Sequence, residues 1–397
     1  MKIQFWSSTE YSGFLEGLMR ELNACGFASR QRFQISEASY RSARSPVARL
    51  LLRLRQYVVY PLQLLVVLSI ERLLRRQATV CVVCTNTFYV PLIATFLHPN
   101  VVHLVYDLFP EAIIHSGKWK EGTSKVRCIR WITKHAIRRA KVNVFLGQRL
   151  KDYVESLHGS VSNAIVIEVG SDQSLFEQGP RERSLVKSEN LQAEALEDTV
   201  PQILYCGNFG NLHDSRTLFG FWSEDAESLK SEKESVKGLV TRFRWRFHCS
   251  GPKRAELVRV QASLPDSFKN QIQIGAGLGQ AEWITAMESA DIALVTMSPG
   301  SETVVMPSKT YSAMMAGQAI LAIAPEDSDL VDTIKTAHCG WWVAPGDVAG
   351  LSEVLETICS NPKELIERRE NAYVYAHEHF GQDTLAARWQ GLFKQLM

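Results

Sequence analysis

The sequence predicts an α/β chain of two domains. Three observations carry that expectation. The 397 residues are enough for two cores, short apolar runs alternate with amphipathic ones, and a polar segment at 177–200 divides the chain. The clearest unit is Asp291 to Pro325: an apolar run (Ile292 to Val295), a Gly/Pro/Ser loop, a short helix from near Ser308, and a second buried strand from Ala319 to Ala324. Tyr311, Met314 and Met315 give that helix an apolar face, and Gly317 ends it. Its free N–H groups would point to the carboxyl end of the preceding strand, where an α/β sheet binds ligands. Ser308, Lys309 and Thr310 stand at that end, so a diphosphate would meet backbone donors, hydroxyls and a cation. Taken alone, these residues fit an ordinary capped helix with a solvated lysine equally well.

Net charge is +2, but residues 1–170 hold 23 Lys+Arg against 11 Asp+Glu. The N-terminal half is therefore the one that would face something anionic. No nucleic-acid motif accompanies the charge, so nucleic acid is not an expected partner, whereas a phospholipid surface or a phosphorylated lipid is. Eight cysteines are scattered without a repeated spacing, and several lie in apolar strand-like runs as buried free thiols would, which argues for a reducing compartment. Cys81 and Cys84 lie three apart in a strand, on opposite faces, which argues against zinc or redox use. The start, MKIQFWSSTEYSG, reads as strand and turn with no signal-peptide core, and the expected location is the cytoplasm.

In chain order, Met1 to Trp6 is a strand and Ser7 to Gly13 a loop with Gly13 its only glycine. A helix then runs from Phe14 until Gly26 ends it. Residues 49–76 carry an uncharged run from Gln56 to Ile70, 15 residues long and interrupted by Pro61, too short to cross a bilayer. Arg49, Arg53 and Arg55 precede it, and Arg72, Arg75 and Arg76 come after it. That pattern suits a helix pair lying in the headgroup plane, or a buried pair covering the sheet. A strand (Thr79 to Cys84), a helix begun near Pro91 and a strand from Val101 to Leu108 come next. The last delivers Asp107, Glu111 and His115 to a loop at a strand's carboxyl end. Lys118 to Lys151 reads as a basic helical stretch.

Past 177–200, the strand QILYC leads to GNFGNLHDS, where Gly207 and Gly210 allow close backbone approach and Asn208 and His213 supply polar side chains. Ser223 to Gly238 reads as a solvated helix or insertion. A strand ending at Cys249 sets Ser250, Gly251 and Lys253 at a helix start. G-A-G-L-G near Gly275 lacks dinucleotide-fingerprint spacing. The ending, NAYVYAHEHFGQDTLAARWQGLF, is amphipathic helix; His377 and His379 fall on different faces and make no metal site.

PSKTYSAMMAG within Asp291 to Pro325 resembles the P-S-K-x-Y nucleotide-sugar signature of bacterial surface-polysaccharide enzymes in glycosyltransferase family four. These are retaining transferases of the GT-B fold. The resemblance implies two Rossmann-like domains facing a cleft: residues 1–176 for the acceptor, a linker at 177–200, 201–368 for the nucleotide-sugar, and a helix at 369–397 crossing back to the first domain. D-L-F-P-E resembles the family's D-L-W-P-E, which implies that Asp107 or Glu111 handles the acceptor hydroxyl, with Gly13, Tyr106 and His115 nearby. Tyr106 stands where many members have histidine. S-D-Q-S-L-F keeps Asp172 and Phe176 of another family pattern. Gly207, Asn208 and Gly210 match a G-N-x-G loop beside the diphosphate, and Ser250, Gly251 and Lys253 a turn facing the nucleotide.

The family's two glutamates fall at Val304 and Ser312, and Glu302 stands close to the first. The resemblance implies transfer from a nucleotide diphosphate, UDP foremost, to a lipid-linked or glycan acceptor at the inner face of the cytoplasmic membrane. Domain closure would exclude water, and no metal or cofactor is expected because the Ser308 helix and Lys309 compensate the leaving charge. The missing glutamates keep open a GT-B nucleotide-binding partner without activity, and the shared fold keeps open a sugar-nucleotide epimerase.

Overall fold

The computed structural model describes residues 1–10, 12–36, 39, 45–75, 78–176, 179–180, 200–231 and 238–396. Two compact units divide it. One holds Met1–Asp172, Thr303–Met306 and Gly381–Met397, and the other Gln173–Glu302 and Pro307–Phe380.

The first unit is built on six parallel strands: β1 (Lys2–Trp6), β2 (Ala28–Arg32), β3 (Val80–Cys84), β4 (Val101–Val105), β5 (Val142–Phe145) and β6 (Ala164–Val166). Their order is β2-β1-β3-β4-β5-β6. Helices cover both faces, so the central strands VCVVC and VVHLV are buried at every position. Strand β5 corrects the expectation of one helical stretch from Lys118 to Lys151. The stretch holds the helix Ser124–Arg139 and the start of another, Gln148–His158, and between them the short VNVF run pairs with β4 and β6. A four-residue strand leaves too little periodicity to read against its basic surroundings. The helix Gln382–Gln395 also belongs here: Trp389 meets Phe5 edge-on at 6.1 Å, and Phe393 lies 6.2 Å from Phe27.

Two further expectations in this unit change. The helix Ser12–Ala24 starts before Gly13, which is therefore helical and not a loop hinge, and Tyr11 lies outside the described residues. The expected helix pair at 49–76 is one continuous helix, Pro46–Leu73, with a π turn at Arg55–Val59. Pro61 does not break it, because the carbonyls its missing N–H leaves open find side-chain donors. Thr87 Oγ1 donates to the Gln56 carbonyl at 3.3 Å, and Tyr89 Oη donates to the Tyr57 carbonyl. Gln56 Nε2 in turn donates to the Asn86 carbonyl at 2.7 Å, so the turn after β3 clamps the π segment.

The second unit repeats the plan with β7 (Gln202–Asn208), β8 (Arg244–Ser250), β9 (Ile272–Gly275), β10 (Ile292–Thr296), β11 (Ala319–Ile323) and β12 (Gly340–Val343). The order β12-β11-β10-β7-β8-β9, all parallel, is that of a doubly wound Rossmann sheet. Trp222, Trp245, Phe221 and Phe243 fill its core. The expected solvated stretch at 223–238 continues the helix Arg216–Ser231, and residues 232–237 lie outside the described residues, as do 181–199 of the expected linker. The expected single helix at the chain's end is two, Pro362–His379 and Gln382–Gln395, broken at Phe380 and Gly381; the Phe380 ring packs on Tyr311 at 4.5 Å.

Tyr89→Phe removes the donor to a carbonyl that Pro61 cannot serve. It is expected to lower unfolding free energy by about 1 kcal/mol, and Pro61→Ala, which restores the N–H, to recover part of that loss in a double-mutant cycle by denaturant unfolding.

Candidate functional site

In the second unit the strand order reverses between β7 and β10, which puts the ligand crevice at their carboxyl ends. The residues singled out in the sequence collect there. Strand β7 ends in Gly207 and Asn208, and Phe209 N–H donates to the Ser250 carbonyl at 2.7 Å, tying this loop to the end of β8. Gly251 sits at φ +106, and a Cβ there would lie 2.4 Å from Asn208 Oδ1 and 2.7 Å from the Phe209 carbonyl, so only glycine lets the two loops meet. Gly207, at φ +132, leaves open the space beside Lys309 Nζ. Lys253 Nζ donates to the His213 carbonyl, and His213 Nδ1 lies 2.8 Å from the Thr296 carbonyl at the end of β10. Burial, then the Lys309 charge, pushes His213 down to about 3, so it stays neutral.

Lys309 opens the helix Lys309–Met315. Its Nζ lies 3.9 Å from the centre of the Tyr205 ring and donates to Tyr205 Oη at 2.7 Å. Tyr205 Oη donates onward to the Asn208 carbonyl at 2.9 Å. Burial raises the tyrosine above its ordinary value, so it remains a neutral phenol. Burial also pushes Lys309 down to about 7, and among the described residues no carboxylate meets it. A lysine held without a counter-charge at the carboxyl ends of these strands has the chemistry to meet an anion. Beside it lies a cavity of about 50 Å³ lined by Cys206, Trp283, Ser312 and Gln318 among others.

The neighbouring hydroxyls behave differently from the sequence expectation. Ser308 is exposed and makes no cap hydrogen bond, and Thr310 is buried with its Oγ1 enclosed and unpartnered. Of the three side chains expected to converge here, only Lys309 brings a charge to the strand ends. Glu302 is half-buried, with Oε2 enclosed and unpartnered.

In the first unit the order reverses between β1 and β3, and β4 lies beside β3. Thr85, just past β3, accepts the backbone N–H groups of Tyr106 (2.9 Å) and Asp107 (3.2 Å), which holds the turn after β4. Among the described residues no cation or donor meets the Asp107 carboxyl, and burial alone pushes it up to about 6. Glu111, its expected equal, is already engaged: Arg130 Nε donates to Oε1 at 2.6 Å, and Arg130 also bridges Glu121 at 2.8 Å. Two carboxylates four residues apart in sequence thus have separate environments, one free to take a proton and one holding a guanidinium. His115 is exposed with its ring edge-on to Tyr153, and Tyr106 is half-buried. Asp172 pairs with Arg20 at 3.1 Å.

Arg49, Arg53, Arg55, Arg72 and Arg75 are all exposed along or beside the helix Pro46–Leu73, and Arg76 lies outside the described residues. Between them Leu50, Leu54, Val58, Leu62, Val66 and Ile70 are each about half exposed, while Tyr60, Leu64 and Leu68 are buried against the sheet. By length and composition this helix could cross a membrane, and it is the one such helix among the described residues. Among those residues no group of three or more His, Cys, Asp or Glu could hold a metal ion.

No family model matches the chain. It is 21% identical over 293 residues to the probable glycosyltransferase WbjE of Pseudomonas aeruginosa, covering 72% of this chain and 68% of that protein. Among solved structures it matches HepE of Anabaena in complex with UDP at a TM-score of 0.68, with 13% identity and all of both chains covered. The fold is that of GT-B glycosyltransferases. Sucrose-phosphate synthase from Thermosynechococcus elongatus matches at a TM-score of 0.70 and 14% identity over 100% of this chain and 99% of that one. WaaG, a glycosyltransferase involved in lipopolysaccharide biosynthesis, matches at 0.65 and 14% over 98% and 99%. HepE has also been solved with UDP-glucose. The chain is thus similar in sequence to a probable glycosyltransferase and in fold to solved glycosyltransferases.

Sequence reasoning missed Tyr205, Arg130 and the clamp at Thr87 and Tyr89. A tyrosine inside an apolar strand, whose buried hydroxyl needs a partner, was the available signal for the first.

The Asp107 environment predicts a pH effect on stability. With a folded value of about 6 above the ordinary 3.8, its contribution is fully present below pH 3.8 and lost as pH rises to about 6. Asp107→Asn should therefore stabilise the protein at pH 7–8 by on the order of 1–2 kcal/mol, with the gain disappearing near pH 4 in thermal unfolding.

Proposed function

We propose that this protein is a retaining glycosyltransferase that moves a sugar from a UDP-sugar to a lipid-linked or polysaccharide acceptor in bacterial surface-glycan synthesis. It works from the cytoplasmic face of the inner membrane. The observation that carries this reading is Lys309, a half-buried cation without a counter-charge at the carboxyl ends of β7 and β10, inside a GT-B fold. UDP is favoured because HepE has been solved with UDP and with UDP-glucose, and a surface-glycan acceptor because WaaG is involved in lipopolysaccharide biosynthesis.

In the reaction the bond from the sugar's anomeric carbon to the diphosphate oxygen breaks, and its electron pair stays with the diphosphate. Lys309 in its protonated form stabilises that charge where it develops. The acceptor hydroxyl forms the new bond to the anomeric carbon, and its proton passes to the Asp107 carboxylate. A carboxylate near 6 is a stronger base than an ordinary aspartate yet is ionised at neutral pH. Glu111, paired with Arg130, steadies the turn that carries Asp107.

Membrane attachment rests on the helix Pro46–Leu73. Its buried residues fix it to the first unit, and its exposed leucines and valines would enter the headgroup region while the arginines meet lipid phosphates.

UDP at 100 times its dissociation constant should add about 2.7 kcal/mol of stability in thermal unfolding, and Lys309→Met should abolish the gain. Because the folded lysine value of about 7 lies below 10.5, its burial cost is present at low pH and gone above the unfolded value. Lys309→Met should therefore stabilise the ligand-free protein at pH 6 but not near pH 10–11. No UDP shift in the wild type would overturn the donor assignment.

In flotation with phosphatidylglycerol vesicles, Leu62→Glu with Val66→Glu should weaken binding about tenfold or more. Equal binding by wild type and variant would remove this helix as the anchor.

A further inference from the structure

Asp107 shares a small cavity with Thr85, Phe88, His103, Val105, Leu108, Phe109 and Thr133. Its volume is about 10 Å³, room for a single water molecule. His103 is fully buried in the middle of β4, between Val102 and Leu104, where a polar ring is costly unless its nitrogens are satisfied. Its Nδ1 lies 2.9 Å from Asn143 Oδ1. Asn143 Nδ2 donates to the Ile137 carbonyl at 2.9 Å and to Asn163 Oδ1 at 3.3 Å, which leaves the amide oxygen, an acceptor only, toward the histidine. Nδ1 must then carry the ring proton, and Nε2 keeps its lone pair. Burial lowers His103 to about 4, so the ring stays neutral across the working range.

The two threonine hydroxyls of the cavity already hold hydrogen bonds, and the Thr85 O–H remains as a donor. Thr133 Oγ1 donates to the Phe109 carbonyl at 2.7 Å, and Thr85 Oγ1 accepts the N–H groups of Tyr106 and Asp107. Among the described residues, Asp107 and His103 are the only titratable ones lining it, and the nearby charged pair Glu111 and Arg130 is already joined. The cavity therefore offers a water two acceptors: the Asp107 carboxylate and His103 Nε2.

We propose that His103 is a positioning residue for Asp107: it holds one buried water by a hydrogen bond to Nε2, so that the water's second hydrogen is donated to the Asp107 carboxylate. That hydrogen bond favours the ionised form, opposing the desolvation that works against it, and fixes the carboxylate's orientation. The catalytic consequence rests on the reading of Asp107 as the base, while the hydrogen-bonding arrangement does not.

The test needs no substrate. The stability difference between a protein and its Asp107→Asn variant stops growing at the folded pKa of Asp107, so that levelling point reads the carboxylate directly. It is measured by thermal unfolding of the full chain between pH 4 and 9, in the wild-type and His103→Leu backgrounds. His103→Leu should move the levelling point upward by about one pH unit, and His103→Gln, whose amide oxygen still accepts from the water, should restore it. A purely packing role for His103 would lower stability at every pH and leave the levelling point in place, which would overturn the proposal. His103→Met is read in the same way should the leucine variant not fold. Asp107→Asn retaining wild-type release of UDP from UDP-glucose would remove the base reading without touching this one.

Discussion

A parallel sheet covered by helices on both faces can place polar chemistry only at its strand ends, because every side chain along the strands is committed to a core. Strands β3, β4, β10 and β11 are buried at every position, and the polar groups of the two candidate sites lie where they stop: Thr85, Asp107 and the loop leading to Lys309. His103 is a polar residue buried inside a strand, as are Asn143 and Gln4, and its Nδ1 is satisfied by Asn143 Oδ1. The location of both candidate sites is thus a consequence of burying the sheets, before any question of what they bind.

The two sites have opposite electrostatic designs produced by one physical term. Desolvation lowers Lys309 and raises Asp107, and neither has an opposite charge to offset it. Each therefore holds an ionised group at a cost in stability, of the kind that a ligand's charge or a transferred proton relieves. Their neighbours mark the contrast. Arg130 is shared between two glutamates, and Lys253 and His213 each hold a backbone carbonyl, so those groups, unlike Asp107, have partners in the fold.

The helix Pro46–Leu73 links the surface to the first site's surroundings. Its π turn is held by Thr87 and Tyr89, and Phe88 between them lines the Asp107 cavity. Asn86 of the same turn accepts the Ser8 N–H at 3.2 Å and donates to Thr9 Oγ1 at 3.1 Å, so the loops after β1 and β3 and the exposed helix share one hydrogen-bond network.

Periodicity, glycine placement and charge are local properties of a chain, and they were enough for the α/β class, the existence of two cores, the placement of Gly207 and Lys309 at strand ends, and the basic-apolar helical segment. Strand β5 was not legible, since four residues carry no period. The persistence of one helix through Pro61 was not legible either, since the donors that rescue it, Thr87 and Tyr89, come from a turn some thirty residues on. It took the folded chain to separate Asp107 from Glu111, two carboxylates with equal claims in the sequence. What distinguishes them is burial without a partner against burial beside Arg130, and both desolvation and pairing depend on which atoms the fold brings near.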